Sequence, residues 1–201
     1  IAALGLMQPL LEELKAQQID YIVYDQTVPN PTITNIEEAL ALYKGNSCQG
    51  IVAFGGGSPM DCAKGVAARV ARPNMTLPQM KGVLKVRKEM PPFFAIPTTA
   101  GTGSEATVAA VVSDSKTYEK YAIMDPVLIP HVAVLDPLLT VKLPPFITAT
   151  TGMDALTHAV ESYIGLSNTE ETIRYSRDAV KLIFDNLYTA YCDGENIEAR
   201  K

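Results

Sequence analysis

Two residues with metal-binding side chains, Asp154 and His158, lie four positions apart in the run Gly152-Met153-Asp154-Ala155-Leu156-Thr157-His158. On a helix this spacing places both side chains on the same face. A carboxylate oxygen and an imidazole nitrogen so placed can bind one divalent metal. Most Asp–His pairs at this spacing are simple surface pairs, and a catalytic metal needs at least one further protein ligand. Either there is no metal, or further ligands lie beyond Lys201.

A triple glycine opens a second segment, Gly55-Gly56-Gly57-Ser58-Pro59-Met60-Asp61, between an apolar run and a helical pattern. Glycines let a ligand approach the backbone closely, and a helix N-terminus attracts phosphate. Ser58 is predicted as the N-cap and Pro59 as the first helical residue, with the Asp61 carboxylate favouring the helix start. We interpret this as a phosphate site; the alternative is a capped turn that binds nothing.

A third segment, residues 97–107, is dense in hydroxyl groups and glycines and follows another apolar run. Its hydroxyls and backbone amides are suited to phosphate or ribose oxygens. They could equally satisfy their own backbone in a glycine turn. The sequence of this segment alone leaves both readings open.

The elements that must position these segments alternate between helix and strand over the first hundred residues. This order predicts a mostly parallel, doubly wound sheet, with ligands beyond the carboxyl ends of its strands. After Pro144 the pattern is helical, which places a domain boundary there. We expect helices near residues 2–18, 33–44, 59–71, 151–164 and 170–191, strands at 20–24, 51–54, 93–96, 108–112 and 131–135, and at 73–92 a loop with one short helix at most.

The composition is that of a globular protein, with 47% hydrophobic and 19% charged residues. A net charge of −5 argues against a nucleic-acid partner. No run approaches the roughly 20 apolar residues of a membrane span. Three widely spaced cysteines indicate reduced thiols and a cytoplasmic protein. The chain starts inside a helical pattern at Ile1 and stops at Lys201 without a helix-ending signal, so we expect a fragment.

Four motifs occur here in one order: Pro-Asn-Pro-Thr at 29–32, Gly-Gly-Gly-Ser-Pro-Met-Asp at 55–61, Pro-Thr-Thr-Ala-Gly-Thr-Gly-Ser-Glu at 97–105, and Gly-Met-Asp-Ala-Leu-Thr-His-Ala-Val-Glu at 152–161. Together they resemble the iron-containing (group III) alcohol dehydrogenases, over essentially Ala2 to Lys201. The resemblance implies an α/β fold on the dehydroquinate synthase-like two-domain plan. Residues 1–144 would form a Rossmann-like dinucleotide-binding domain without its first strand, and 145–201 the beginning of an all-helical metal-binding domain, with the active site between the two domains.

The resemblance also implies site residues. Asp154 and His158 match the family's first two metal ligands, for Fe²⁺ with Zn²⁺ tolerated, and two further histidine ligands lie downstream in the family. The cofactor would be NAD or NADP. The predicted cofactor-binding residues are Asn30, Gly56, Gly57, Ser58, Asp61, Thr98, Thr99, Thr102, Ser104, Lys120 and Leu138. A solvated surface lysine is the alternative for Lys120.

The implied activity is the interconversion of a small alcohol with an aldehyde or ketone, in a homodimer or larger homo-oligomer without nucleic-acid or membrane partners. The alternatives are a polyol dehydrogenase or dehydroquinate synthase-like enzyme on the same fold, a nucleotide-binding module without catalysis, or a structural role in an assembly. Because the two downstream histidines and the first strand are missing, we expect the 201-residue chain itself to be inactive, with one wall of its nucleotide site absent.

Overall fold

The computed structural model describes residues 5–141 and 143–201. Within these ranges the chain alternates helices with short strands and then becomes wholly helical. The helices are α1 (Gln8–Ala16), α2 (Ile33–Gly45), α3 (Gly57–Ala71), α4 (Pro145–Ile164), α5 (Glu170–Cys192) and α6 (Ile197–Arg200). The strands are β1 (Ile51–Gly55), β2 (Gly82–Val83), β3 (Phe93–Pro97), β4 (Ala109–Asp114), β5 (Glu119–Met124) and β6 (Val132–Ala133).

A three-stranded parallel sheet has the order β1-β3-β6. Its register runs from Ile51 opposite Phe93 to Gly55 opposite Pro97, so β1 and β3 end level with each other. Apolar runs this short and this rich in branched and aromatic residues are typical of buried parallel strands. The predicted α/β class with a parallel sheet is confirmed.

A second sheet, of order β2-β5-β4, was not predicted. β4 and β5 form an antiparallel hairpin in which Ser113 pairs with Lys120, while β2 pairs with β5 in parallel. Tyr121 and Ile123 alternate inward along β5 and are buried in the core. Lys120, at the start of β5, is exposed.

The core of the first part of the chain lies around α3. Its buried face includes Met60 and Val66, which belong to the same apolar cluster as Phe93 and Ile123. Helices α2 and α3 approach closely: a Cβ added at Gly65 would lie 2.6 Å from Cδ1 of Ile36. This close packing fixes the direction of α3, and therefore where its N-terminus points.

The helical part centres on the packed pair α4 and α5. Helix α4 begins at Pro145, six residues before the predicted start at Thr151. Two threonines in its first half donate their hydroxyls to helix carbonyls: Thr150 donates to the carbonyl of Phe146 at 3.0 Å, and Thr151 to that of Ile147 at 2.8 Å. Proline at the first helical position is also favourable.

The chain divides into two compact units. The first comprises the residues up to Pro97 together with Ser104–Val134, and the second comprises Thr98–Gly103 with Leu135–Lys201. Residues 98–103 of the hydroxyl-rich segment therefore belong to the helical unit, although they directly follow β3. The predicted domain boundary at 144/145 was drawn from sequence character and stays a prediction.

One predicted strand is wrong. No β-ladder in the described part of the chain includes residues 20–24, because no other strand lies alongside to supply hydrogen-bond partners. Ile19, Tyr21 and Ile22 are each about half exposed as a result. The predicted first helix is shorter than expected, and its first residues, Ala2 to Leu4, lie outside the described residues. None of the described helices is long and apolar enough to cross a membrane.

Candidate functional site

The N-terminus of α3 sits directly on the glycine run. Gly55 has a φ of 145°, which favours glycine, and Gly56 is the N-cap. The prediction that Ser58 caps the helix is wrong: α3 begins at Gly57, two residues before the predicted first helical residue Pro59, and no side chain caps it. The first amides of a helix have no intrahelical acceptor. This helix end therefore presents backbone donors and a partial positive charge on flexible glycines, which suits a phosphate.

Ser58 has a different role from the predicted one. Its Oγ accepts a hydrogen bond from the backbone N–H of Asn30 at 3.2 Å. Asn30 adopts a left-handed φ of 56°, a conformation that asparagine tolerates better than most residues. The Nζ of Lys120 donates to Oδ1 of Asn30 at 2.7 Å. The structure thus brings three predicted cofactor residues together beside the start of α3.

Asp61 lies in the second turn of α3 and is half-buried. Burial raises the pKa of its carboxyl to about 6, against the nearby charges of Lys64 and Lys120 and a hydrogen bond from the backbone of Val111, which all lower it. The carboxyl of Asp61 therefore interacts with groups of the protein itself, and burial disfavours its charged form. Its predicted role as a cofactor contact remains a prediction.

Lys64 is fully buried, and the sequence reasoning gave it no role. Its ammonium donates to the carbonyl of Thr107 at 2.7 Å, to the hydroxyl of the same threonine at 2.9 Å, and to the carbonyl of Ala109 at 3.0 Å. Burial lowers its pKa to about 8, while Asp61 and Glu105 raise it. Lys64 thereby attaches α3 to the chain that leads into β4. The sequence signal that could have indicated this role is a lysine among the apolar residues of the buried side of α3.

The hydroxyl-rich segment is divided between the units. Ser104 belongs to the first unit and is buried. In the second unit Thr98 is also buried, while Thr99 and Thr102 are half-buried. The backbone at Gly101 lies so close to α4 that an added Cβ would be 2.4 Å from the carbonyl oxygen of Thr151. Three of the four predicted hydroxyl residues therefore lie in a segment packed directly onto this helix.

Asp154 and His158 lie together on α4 as predicted. Their closest atoms, Oδ2 and Nε2, are 3.7 Å apart, and the two side chains are 47% and 57% exposed. A carboxylate and an imidazole at this distance, both open to solvent, fit as part of the ligand set of a divalent metal. Among the described residues no group of three or more His, Cys, Asp or Glu side chains could hold a metal.

The remaining candidates have separate locations. Leu138 is exposed in a short 3₁₀ helix, Pro137–Thr140, and its own N–H donates to the Asp136 side chain that caps this helix. His131, the first residue of the predicted strand 131–135, precedes β6 and accepts a hydrogen bond at Nδ1 from the N–H of Phe93 at 3.1 Å. A cavity of about 440 Å³ in the helical unit is bordered by Thr140, Asn186 and Arg200.

Two family models match the sequence. That of the iron-containing alcohol dehydrogenases covers residues 1–137, and that of the C-terminal part of the Fe-containing alcohol dehydrogenase family covers residues 148–201. The chain belongs to the iron-containing alcohol dehydrogenase family. The two matches follow each other in the order that the family's two parts require, and the second contains both Asp154 and His158.

Individual relatives agree with this assignment. The chain is 38% identical to the NAD-dependent methanol dehydrogenase of Bacillus methanolicus, over 98% of this chain and 51% of that protein. The crystal structure of a 1,3-propanediol oxidoreductase superposes with a TM-score of 0.94 at 37% identity, over 98% of this chain and 51% of the other. The sulfoacetaldehyde reductase of Bifidobacterium kashiwanohense, solved with NAD⁺, gives 0.83 at 34% identity, over 95% and 53%. The chain thus spans about half the length of these relatives.

Proposed function

We propose that the whole protein is a metal-dependent, NAD(P)-linked oxidoreductase that interconverts a small alcohol with an aldehyde or ketone. The observation that carries this is the Asp154–His158 pair, 3.7 Å apart on an exposed face of α4, in a chain of the iron-containing alcohol dehydrogenase family. Carboxylate and imidazole form a hard-to-borderline ligand set that suits Fe²⁺ and tolerates Zn²⁺. The further ligands would come from outside these 201 residues.

The first unit would supply the phosphate end of the nucleotide site. The uncapped start of α3 on Gly56 and Gly57 offers backbone donors to a pyrophosphate. The Lys120 ammonium, hydrogen-bonded to Asn30, adds a full positive charge beside them. NAD is supported by the named cofactor of the methanol dehydrogenase relative and by the NAD⁺ complex of the reductase, while NADP remains the alternative.

The chain's own residues would divide the chemistry between binding and orientation. Asp154 and His158 would hold the metal at one side of α4, and Thr98, Thr99 and Thr102 would donate to or accept from the nucleotide. When bound, the metal polarises the substrate oxygen and the nicotinamide exchanges a hydride with the substrate carbon. Such a transfer requires the reacting atoms to be held about 3–3.5 Å apart. Orientation is therefore the main task of these residues.

Relatives with the same fold act on methanol, 1,3-propanediol and sulfoacetaldehyde, according to their names. We therefore propose the substrate class and no single compound. A polyol dehydrogenase or dehydroquinate synthase-like enzyme is less well supported, because the family models that match are those of alcohol dehydrogenases. The cytoplasmic location and the homodimer or larger assembly stay predictions.

A second candidate applies to the 201-residue chain itself. Among its described residues no set of three metal-binding side chains exists, whereas the phosphate-binding features of α3, Asn30 and Lys120 are present together. The chain on its own would then be a nucleotide-binding module without catalysis.

The first experiment is to purify the protein from its native source and to measure its intact mass, its metal content and its turnover of simple alcohols with NAD⁺. We expect a mass about twice the 21.7 kDa of this chain, about one iron or zinc per subunit, and measurable turnover. A native mass of 21.7 kDa without metal or turnover would refute the enzyme and leave the nucleotide-binding module.

A further inference from the structure

We propose that Gly101 is a positioning residue: it seats residues 98–103 directly on α4, so that the threonines of this segment keep one fixed position relative to Asp154 and His158. The proposal rests on the proposed function, because only a nicotinamide- and metal-dependent reaction needs these two groups of side chains in register. The proposal explains how this chain fixes the position of the threonines relative to Asp154 and His158.

The contact at Gly101 is between backbones. A Cβ at position 101 would lie 2.4 Å from the carbonyl oxygen of Thr151, 2.8 Å from its Cβ and 2.9 Å from its carbonyl carbon. A side chain could rotate away from such a clash, but a helix carbonyl cannot. Gly101 does not have a left-handed φ, so close approach and not backbone conformation is what requires glycine here.

The position of the contact along α4 matters. Thr151 precedes Asp154 by three residues, about one helical turn. The next residue, Gly152, packs against α5: a Cβ there would lie 2.3 Å from Cδ1 of Leu187. Consecutive helical residues point in different directions. The turn of α4 before the metal pair is therefore held from two sides, by the segment at Gly101 and by α5 at Leu187.

The division of the chain into units agrees with this contact. Residues 98–103 belong to the same compact unit as α4, whereas β3, which immediately precedes them, belongs to the other. Thr98, Thr99 and Thr102 thus form part of the same unit as Asp154 and His158. Misplacement of reacting groups by about 1 Å costs roughly 100-fold in rate, so a shared rigid support has a direct catalytic use.

The test is residue-resolved amide hydrogen exchange by NMR on the 201-residue chain without metal. In Gly101→Ala we expect exchange to accelerate about tenfold both in residues 98–103 and in the first half of α4, because overpacking loosens the contact from both sides. Exchange in β3 should not change. Acceleration confined to 98–103, or no acceleration in α4, would overturn the proposal.

Gly103→Ala is the matched control in the same segment. Gly103 has a φ of 60° and open space around its Cβ position, so an alanine there strains the backbone without touching α4. We expect faster exchange in 98–103 and unchanged exchange in α4. Equal effects of both variants on α4 would show that strain in the segment, and not the contact at Gly101, positions the helix.

A second measurement needs no variant, in case Gly101→Ala does not fold. Co²⁺ added to the wild-type chain should slow exchange around Asp154 and His158 and, through the contact, in 98–103, with Phe93–Pro97 unaffected. Protection at the metal pair without protection of 98–103 would refute the coupling and leave the proposed function standing. If Co²⁺ has no effect near Asp154, the metal-free comparison of Gly101→Ala with Gly103→Ala decides the role of Gly101.

Discussion

The Nζ of Lys120 donates a 2.7 Å hydrogen bond to Oδ1 of Asn30, across 90 residues of sequence. The backbone N–H of the same asparagine donates to Ser58 in the first turn of α3. A lysine on a β-hairpin is thereby held next to a helix N-terminus. The lysine ammonium and the helix N-terminus are each favourable partners of a phosphate, and Asn30 contacts the lysine and the first turn of the helix.

Replacing Lys120 with alanine should weaken nucleotide binding without unfolding the chain. The side chain is exposed, so its loss leaves no buried group unpaired. The loss of one charged hydrogen-bond donor to a phosphate predicts about a tenfold rise in the dissociation constant for NADH, measured by fluorescence titration. Lys116→Ala, in the turn of the same hairpin, is the control and should change the affinity little. Equal losses in both variants would mean that only the general charge of the hairpin matters.

The parallel sheet and its helices could be predicted because their signals are local. Runs such as Ile51–Gly55 and Phe93–Pro97 are apolar throughout and are followed by glycine or hydroxyl-rich turns. The hairpin strand β5 was missed although Tyr121 and Ile123 alternate with outward-facing residues, because the charged Glu119 and Lys120 at its start interrupt the apolar pattern. The predicted strand at 20–24 failed since a strand also needs a neighbour, which no local pattern supplies.

The sequence could predict which residue types form the site, but not which contacts these residues make. The Asp154–His158 pair follows from helical spacing alone. By contrast, Lys64 reaches Thr107 across 43 residues, and Gly101 touches Thr151 only after α4 has packed. Ser58 likewise makes a long-range contact, since its hydroxyl accepts a hydrogen bond from the backbone N–H of Asn30. Long-range packing decided each of these cases.

Asp61 should make the chain less stable as pH rises through the weakly acidic range. Its pKa is about 6 in the folded state against 3.8 for the ordinary group, so the folded state binds more protons between these values. The free energy of unfolding should therefore fall from pH 3.8 to 6, by about 3 kcal/mol at most, relative to the Asp61→Asn variant. Urea unfolding at a series of pH values measures this difference.

Asp114→Asn is the control for this pH dependence and should show the opposite sign. Backbone hydrogen bonds from Lys116 and Thr117 lower the pKa of the Asp114 carboxyl. Its stabilising contribution is therefore present above the ordinary pKa and lost as pH falls. A difference between wild type and Asp61→Asn that rises with pH would show that Asp61 acts as an ion-pair partner of Lys64 or Lys120, contrary to our expectation.

Lys64→Met should destabilise the first unit strongly. Methionine fills a similar space but removes the lysine donor from the carbonyls of Thr107 and Ala109, the second of which also accepts a hydrogen bond from the hydroxyl of Thr107. Burying unpaired acceptors predicts a loss of about 3 kcal/mol in the free energy of unfolding at pH 7, measured by urea titration. The exposed Lys88→Met should stay within about 0.5 kcal/mol of wild type. A similarly small loss for Lys64→Met would show that the free-energy cost of burying the ammonium offsets the stabilisation from its hydrogen bonds.

Metal binding to the 201-residue chain should depend on both members of the pair on α4. Because only two described side chains are available and both are about half exposed, Co²⁺ should bind weakly and exchange rapidly. Replacing His158 with glutamine should weaken this binding at least about tenfold, as should Asp154→Asn. Paramagnetic shifts in the NMR spectrum locate the ion. Glu161→Gln removes a carboxylate from the same helix without touching the pair, and should leave the shifts at position 154 in place. Shifts that survive His158→Gln but vanish in Glu161→Gln would move the metal site away from the predicted pair.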